Sequence, residues 1–206
     1  LLRNDTMKDN TTCNRNARRT RGFIENAFLE LMKEKHYTKI SVREITEKAD
    51  INRSTFYRHY LDTYDLLDKI EERVNGEVGE AIAKITRSDY VPGRHPFHVG
   101  VFQVLEKNRE VFQILFSSNG DIDFIYKIAT TMGDAMYEGW SSYYSGNIPK
   151  DLEMYVSYST FGMLGVFLKN MQMGFVWDPE KMGHLAGKVT NWLDDGLRYP
   201  HKHVND

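Results

Sequence analysis

The sequence predicts an all-α protein, with a three-helix N-terminal head carrying a helix-turn-helix and a longer helical body behind it. Apolar residues recur at helical spacing along most of the chain, strand-like alternation is absent, and Ser41 to Tyr60 reads as two short helices around a tight turn. Hydrophobic side chains make up 41% of the 206 residues and aromatics 13%, enough for a substantial core; 27% charged residues suit a hydrated surface.

Residues 1–14 are polar and are expected to form a flexible arm, with Met7 a natural point for translation to start. Phe23, Ile24, Ala27, Phe28, Leu31 and Met32 place a first helix over about 18–35. Ser41 followed three residues later by Glu44 is a capping-box signature, so a second helix starts there and buries Val42, Ile45 and Ala49. Asp50, Ile51 and Asn52 break it. Asn52 is expected to cap a third helix whose Phe56 and Tyr60 face inward, with Ile51 as a plug.

Asp62 or Thr63 caps a long fourth helix over 64–85, with Leu66, Leu67, Ile70, Val74, Val78 and Ile82 along one side. Its Gly76 and Gly79 each cost about 1 kcal/mol against Ala, which marks a hinge or a packing clearance. Beyond Pro92, Gly93 and Pro96, helices are expected at about 97–107 and 109–117, the latter ended by Asn119-Gly120. Three more follow at about 121–144, 150–173 and 179–197.

The net charge of −2 conceals an asymmetry. Between Arg15 and Tyr60 there are eleven Lys or Arg against six Asp or Glu, whereas from Gly76 to Asp206 there are twelve against sixteen. A basic head on an acidic body suits focused contact with nucleic acid. The outward face of the third helix carries Arg53, Ser54, Thr55, Tyr57, Arg58 and His59, which supply donors for phosphates and base edges. Arg53 and Thr55, in its first turn, point where base edges would lie; Tyr57 and His59 suit phosphate oxygens, and Arg58 suits either. Arg43, early in the second helix, offers a fork matching guanine O6 and N7. The Ser41 hydroxyl and the amides beside it can hold a phosphate.

The stretch from about Arg18 to Leu67 resembles the DNA-binding domain of the tetracycline-repressor (TetR) family of bacterial regulators. The resemblance rests on the amphipathic first helix, the capped Ser41-Val-Arg-Glu-Ile start, the Ser54-Thr-Phe-Tyr-Arg-His-Tyr core and Asp65-Leu-Leu. Matched residue by residue, Ser41, Arg43 and Arg53 to His59 fall on the family's contact positions. The body is similar to one of the family's C-terminal subtypes at Arg109-Glu-Val-Phe-Gln-Ile-Leu-Phe-Ser-Ser-Asn-Gly-Asp121 and Phe161-Gly-Met-Leu-Gly-Val-Phe-Leu-Lys-Asn170. The resemblance implies a DNA-binding domain at 15–63 and a helical effector-binding and dimerisation domain at 64–206. It further implies a ligand-responsive repressor that reads a pseudo-palindromic double-stranded operator as a homodimer. Two positions depart from the family pattern. Ser54 stands where Gly is common, and Thr63 stands where Lys is common, removing about one phosphate contact. The alternative is a non-DNA-binding helical coactivator or adaptor of the same fold that binds a protein partner.

In the family the last two helices pair with their copies in a second subunit. Here Tyr158, Phe161, Gly162, Leu164, Gly165 and Leu168 offer one face, and Leu185, Val189, Trp192 and Leu193 another. The residues alone fit an intrachain core as well as a dimer, and the resemblance favours the dimer. Phe112, Leu115, Phe116, Met132, Met136, Trp140, Met163, Phe167 and Met171 would line a seat for a small apolar ligand, or would equally make a packed core.

Enzyme readings find no support, because no glycine-rich phosphate loop, Gly-x-Ser-x-Gly elbow or His-Glu-x-x-His is present. No catalytic residue, metal or cofactor is expected. His95, His98, His201 and His203 read as surface histidines, and the lone Cys13 can form neither an internal disulfide nor a cysteine zinc cluster. No apolar run approaches the roughly 20 residues of a membrane helix and no secretory leader pattern opens the sequence, so a cytoplasmic, membrane-free protein is expected.

Overall fold

The computed structural model describes residues 5–85, 96–144 and 147–198, and the side chains of 15–193 within them apart from residue 143. The described residues form helices α1 (Asp5–Met32), α2 (Val42–Lys48), α3 (Arg53–Tyr57), α4 (Thr63–Ala83), α5 (Pro96–Lys107), α6 (Arg109–Leu115), α7 (Asp123–Tyr143), α8 (Leu152–Gln172) and α9 (Pro179–Arg198), with a single 3₁₀ turn at Tyr37–Lys39 and no strand among them. The all-α expectation holds. Of the expected loop residues, Pro92 and Gly93 lie outside the described residues, as do His95, His201 and His203.

Two compact units divide the chain: Leu1–Glu72 with Ile114–Asp121, and Arg73–Gln113 with Ile122–Asp206. The boundary therefore falls inside α4 rather than at residue 63. In the first unit α1 begins at Asp5, so residues 5–14, expected as an arm, continue the helix. Ile24, Ala27, Phe28, Leu29 and Met32 are buried. Phe23, expected inward, is 46% exposed and lies under the Arg19 guanidinium at 5.3 Å, while Leu31 is only half-buried. A cation over an aromatic face shields such a ring without burying it.

The predicted second helix starts as its sequence dictates. The Ser41 hydroxyl accepts from the Glu44 amide at 3.4 Å, and the Glu44 carboxylate accepts from the Ser41 amide at 3.0 Å, completing the capping box. Ile45 is buried as expected, but Val42 and Ala49 are half-buried and Thr46 takes the second buried place. Its hydroxyl donates to the Arg43 carbonyl at 3.0 Å, which satisfies the polar atom inside. Asp50 then turns the chain with φ 52°, the left-handed conformation that commonly ends a helix.

Asn52 occupies the N-cap position of α3 with extended backbone, yet its side chain makes no capping bond, contrary to expectation. Its carbonyl instead accepts from Thr55 and Phe56 amides at 2.9 and 3.3 Å. Between the two expected caps of α4, Asp62 serves: its carboxylate accepts from Tyr64 and Asp65 amides at 2.8 and 2.9 Å. Leu66, Leu67 and Ile70 of α4 are buried in this unit. The Ile114–Asp121 segment joins it through the Tyr37 amide, which donates to the Asn119 carbonyl at 3.0 Å.

In the second unit α9 lies along α5, and α8 packs against both α7 and α9. The α5–α9 contact is close because Gly183 sits on the Val99 backbone: a Cβ there would stand 2.7 Å from the Val99 nitrogen and Cα. His98, expected at the surface, is instead buried, and with buried Thr190 it bridges the same helices, Nε2 to Oγ1 at 2.9 Å. Of the two glycines of α4, Gly79 meets Thr131 Cγ2 at 3.2 Å from its would-be Cβ, whereas Gly76 has open space. The packing-clearance reading thus fits Gly79. Between α8 and α9 the buried Asn170 amide clamps Trp177, donating to its carbonyl and accepting from its amide, each at 2.8 Å.

Candidate nucleic-acid interface

The helix-turn-helix residues are positioned by what lies beneath them. Phe56 and Tyr60 are buried, and the Tyr60 hydroxyl donates to Glu25 Oε1 of α1 at 3.1 Å, anchoring the third helix to the first. Burial of that pair forces the remaining α3 positions outward. Arg53, Ser54, Tyr57 and Arg58 are exposed, Thr55 and His59 half-buried. The helix itself ends at Tyr57, so His59 and Tyr60 lie in the turn that follows, where both amides donate to the Phe56 carbonyl. The Tyr57 ring stands edge-on to Phe56, with centroids 5.5 Å apart.

Ser41 and Arg43 are exposed on α2. Lys35 pairs with Glu44, and this bond together with those from the Ser41 amide and hydroxyl holds the Glu44 carboxyl at about 2. Arg43 Nε donates to Glu47 Oε1 at 2.7 Å, and the guanidinium is thereby held above its ordinary value. Arg58 donates to Thr55 Oγ1 at 3.0 Å. Arg43, expected to read bases, and Arg58, expected to suit bases or phosphates, are therefore each tethered to a neighbour on their own segment. Burial, then the charges of Arg21 and Arg58, push the His59 imidazole below its usual range. Thr63 opens α4, half-buried.

Two further residues contribute to this surface without having been singled out in the sequence. Arg21 of α1 counted only towards the basic tally, yet its charge reaches His59. Lys69 donates to the His59 carbonyl at 3.3 Å and to Asp65 at 2.9 Å and lies 5.3 Å from the Tyr60 ring centre. Its spacing of four from Asp65 was the available signal.

In the second unit Phe112, Met132, Met136, Trp140, Met163 and Phe167 are buried, Met171 half-buried. Phe112 stacks on Phe124 at 6.3 Å and meets Phe167 edge-on at 5.9 Å, as core side chains do. Phe116, half-buried, and Leu115, buried, belong to the first unit. A cavity of about 470 Å³ lies instead between α7 and α8, and of all the expected site residues only Phe161 lines it. On the faces expected to dimerise, Tyr158 and Trp192 are 64% and 73% exposed, and Phe161, Gly165 and Leu185 are exposed as well. Leu168, Val189 and Leu193 are half-buried. Leu164, expected on the same face, is buried in the core, because it turns toward the opposite side of α8. No cluster of His, Cys, Asp or Glu fit for a metal, and no helix long and apolar enough to cross a membrane, occurs among the described residues.

Comparison with known proteins adds independent findings. Residues 25–70 match the family model of bacterial regulatory proteins, tetR family, and residues 95–191 match a transcriptional regulator C-terminal region of the same family series. An uncharacterised HTH-type transcriptional regulator of Bacillus subtilis (strain 168), YxbF, is 25% identical over 185 residues. The alignment takes in 85% of this chain but 45% of that protein, so the chain spans less than half the length of this relative. Among solved structures, a TetR transcriptional regulator of Streptococcus agalactiae 2603V superposes with a TM-score of 0.58 at 21% identity, over 87% of this chain and 98% of that one. SmeT, the repressor of the Stenotrophomonas maltophilia multidrug efflux pump SmeDEF, gives 0.65 at 18% identity over 86% and 92%. The SmeT complex with triclosan gives 0.67 at 18% over 86% and 93%. At such identities these likenesses establish a shared fold.

Proposed function

This chain belongs to the TetR family of bacterial transcriptional regulators, and we propose on that premise that it is a ligand-responsive repressor that reads a pseudo-palindromic operator as a homodimer. The observation that carries this reading is the surface of α3. With Phe56 and Tyr60 buried, Arg53, Ser54, Tyr57 and Arg58 are left facing outward, and the charge of Arg21 on the first helix reaches His59 beside them. Guanidinium, hydroxyl and phenol groups on a short helix of this kind suit a major groove and its phosphates. Arg43 leaves Glu47, and Arg58 leaves Thr55, when the groove is entered. An exposed pair is worth at most about 1 kcal/mol, less than the roughly 1 to 3 kcal/mol of a good bidentate base contact, so the exchange favours DNA.

Dimerisation through Tyr158, Phe161, Gly165 and Leu168 of α8 and Leu185, Val189 and Trp192 of α9 would present two heads to half-sites about 34 to 36 Å apart. The apolar interior of the second unit, around Phe112, Met132, Met136, Trp140, Met163, Phe167 and Met171, is the proposed seat of a small apolar effector. The shared fold of SmeT, which is seen with triclosan, supports an effector in this fold.

The test is a mobility shift on DNA flanking the protein's own gene at two salt concentrations. Specific retention that weakens with salt is expected; a folded protein that retains no duplex at low salt removes the DNA-binding reading. A second reading, as a helical coactivator or adaptor, is favoured by Ser54, by Thr63 and by the tethering of both Arg43 and Arg58. Co-purification of another regulator with no DNA retention would select it.

A further inference from the structure

The turn from Arg58 to Leu61 is held by a clasp that the recognition helix cannot supply. α3 is five residues long and ends at Tyr57, so His59 lies outside it. On the inner side Tyr60 is buried and secures the turn to α1 through Glu25. On the outer side Leu61 is 78% exposed, so its side chain lends the turn little packing. Polar bonds from α4 act there instead. Asp65 Oδ2 accepts from the Leu61 amide at 2.8 Å, and Lys69 Nζ donates to the His59 carbonyl at 3.3 Å and to Asp65 Oδ2 at 2.9 Å. The ammonium also stands 5.3 Å from the centre of the Tyr60 ring. One ion pair on α4 thus grips the backbone on both sides of Tyr60.

An i,i+4 pair whose members bond only each other stabilises its own helix slightly and fixes nothing beyond it. Here both members make a second bond, and both second bonds end on the turn. The Leu61 amide, and then Lys69, hold the Asp65 carboxyl below its ordinary range, so the acceptor stays ionised at neutral pH. The turn they fix presents His59 to a phosphate, and phosphate contacts set the register in which neighbouring side chains meet their bases. A loose turn loses its freedom on binding, at a cost in affinity; a turn already ordered avoids that cost. Lys69 uses two of its three donors inside the clasp, so it acts through His59. We propose that Lys69 is a positioning residue for DNA recognition, which with Asp65 fixes the turn from Arg58 to Leu61 so that His59 meets its phosphate without further ordering. This role rests on the DNA-binding reading given above.

The test compares Lys69→Met, which keeps an apolar stem beside Tyr60 and removes both bonds, with Lys69→Arg, which can donate to both acceptors. In the free full-length protein, hydrogen exchange at the His59, Tyr60 and Leu61 amides should quicken at least about threefold in Lys69→Met and not in Lys69→Arg, with exchange in α1 and α2 unchanged. On the duplex retained in the mobility shift, Lys69→Met should weaken binding by about threefold to tenfold, the worth of one hydrogen bond, and Lys69→Arg should restore it. The salt slope should stay the same, because no phosphate contact is removed. In a His59→Ala background Lys69→Met should cost less than about twofold, since no ring is left to position. A slope shallower by about one would make Lys69 itself a phosphate contact and overturn the proposal. So would a full loss in the His59→Ala background, or unchanged exchange at the turn. A wild type that retains no duplex removes the DNA reading and this role with it, whereas wild-type retention matched by Lys69→Met removes the role alone.

Discussion

Asp50 holds φ 52° at the end of α2, where a Cβ crowds the following carbonyl and glycine does not. Asp50→Gly should therefore raise stability by about 1 kcal/mol in urea unfolding, with an unchanged denaturant slope. A neutral or destabilising result would mean that the aspartate side chain contributes more than its backbone strain removes. At Arg43 the expected outcome is a contrast: Arg43→Ala lowers affinity and relaxes preference at one base position, costing about 1 to 3 kcal/mol, whereas Tyr57→Phe weakens all sequences alike. Competition binding against operator variants measures both, and a uniform loss for Arg43→Ala would make it a phosphate contact. His59 adds a pH dependence. Burial and the charges of Arg21 and Arg58 depress its folded value, so the folded protein favours the neutral ring. Its contribution to stability is complete above the ordinary value of 6.5 and is lost as pH falls through 6.5 towards the depressed value. A phosphate beside the ring opposes that shift, so that the imidazole takes up a proton on binding. DNA affinity should thus rise as pH falls from about 7.5 to about 5.5, and His59→Gln should flatten the profile.

At the scale of elements, glycines separate contacts that bind helices tightly from faces that are open. Gly183 of α9 lies on Val99 of α5, and an added methyl would stand 2.5 Å from Val99 Cγ2 and 2.7 Å from two backbone atoms, which cannot rotate away. Gly183→Ala should cost about 1 to 3 kcal/mol, the usual penalty of overpacking, and is read from the thermal midpoint. If the midpoint is unchanged, α5 and α9 are free to separate. On α8 Gly165 meets nothing within 4 Å, so the same substitution there leaves the subunit's packing undisturbed and improves the helix. The comparison is informative because both changes are Gly→Ala within helices of one unit, and only the partner surface differs.

At the scale of the whole molecule, function is proposed to depend on two copies. Trp192 and Tyr158 are large aromatics held mainly in water, a costly exposure that a partner subunit would relieve. Trp192→Arg should shift sedimentation from dimer to monomer without lowering the helical content, and operator affinity should fall with it because two half-sites are no longer read together. A dimer that persists unchanged would move the interface away from this face of α9. Coupling between effector and operator, where present, is reciprocal and typically about 1 to 3 kcal/mol, so DNA should weaken effector binding by the same factor as effector weakens DNA.

Local signals fixed most of the architecture in advance. The Ser41–Glu44 capping box, the Phe56–Tyr60 spacing and the apolar period of α4 are properties of residues a few positions apart, so the start of α2, the inward pair Phe56 and Tyr60 and the apolar side of α4 are as expected. The polar face of α3 was legible for the same reason: burying Phe56 and Tyr60 decides where its neighbours point. What no local pattern encoded is which groups meet across distance. The Tyr60 bond to Glu25, the union of Ile114–Asp121 with the first unit, the burial of Thr46 and Leu164, and the cavity of Tyr126, Glu153 and Thr160 each join residues far apart in the chain or choose between faces of one helix. Helical periodicity can state that a residue lies on an apolar side. Only the packed structure decides which of its possible neighbours fills that side, because close packing is a property of all the surrounding side chains at once.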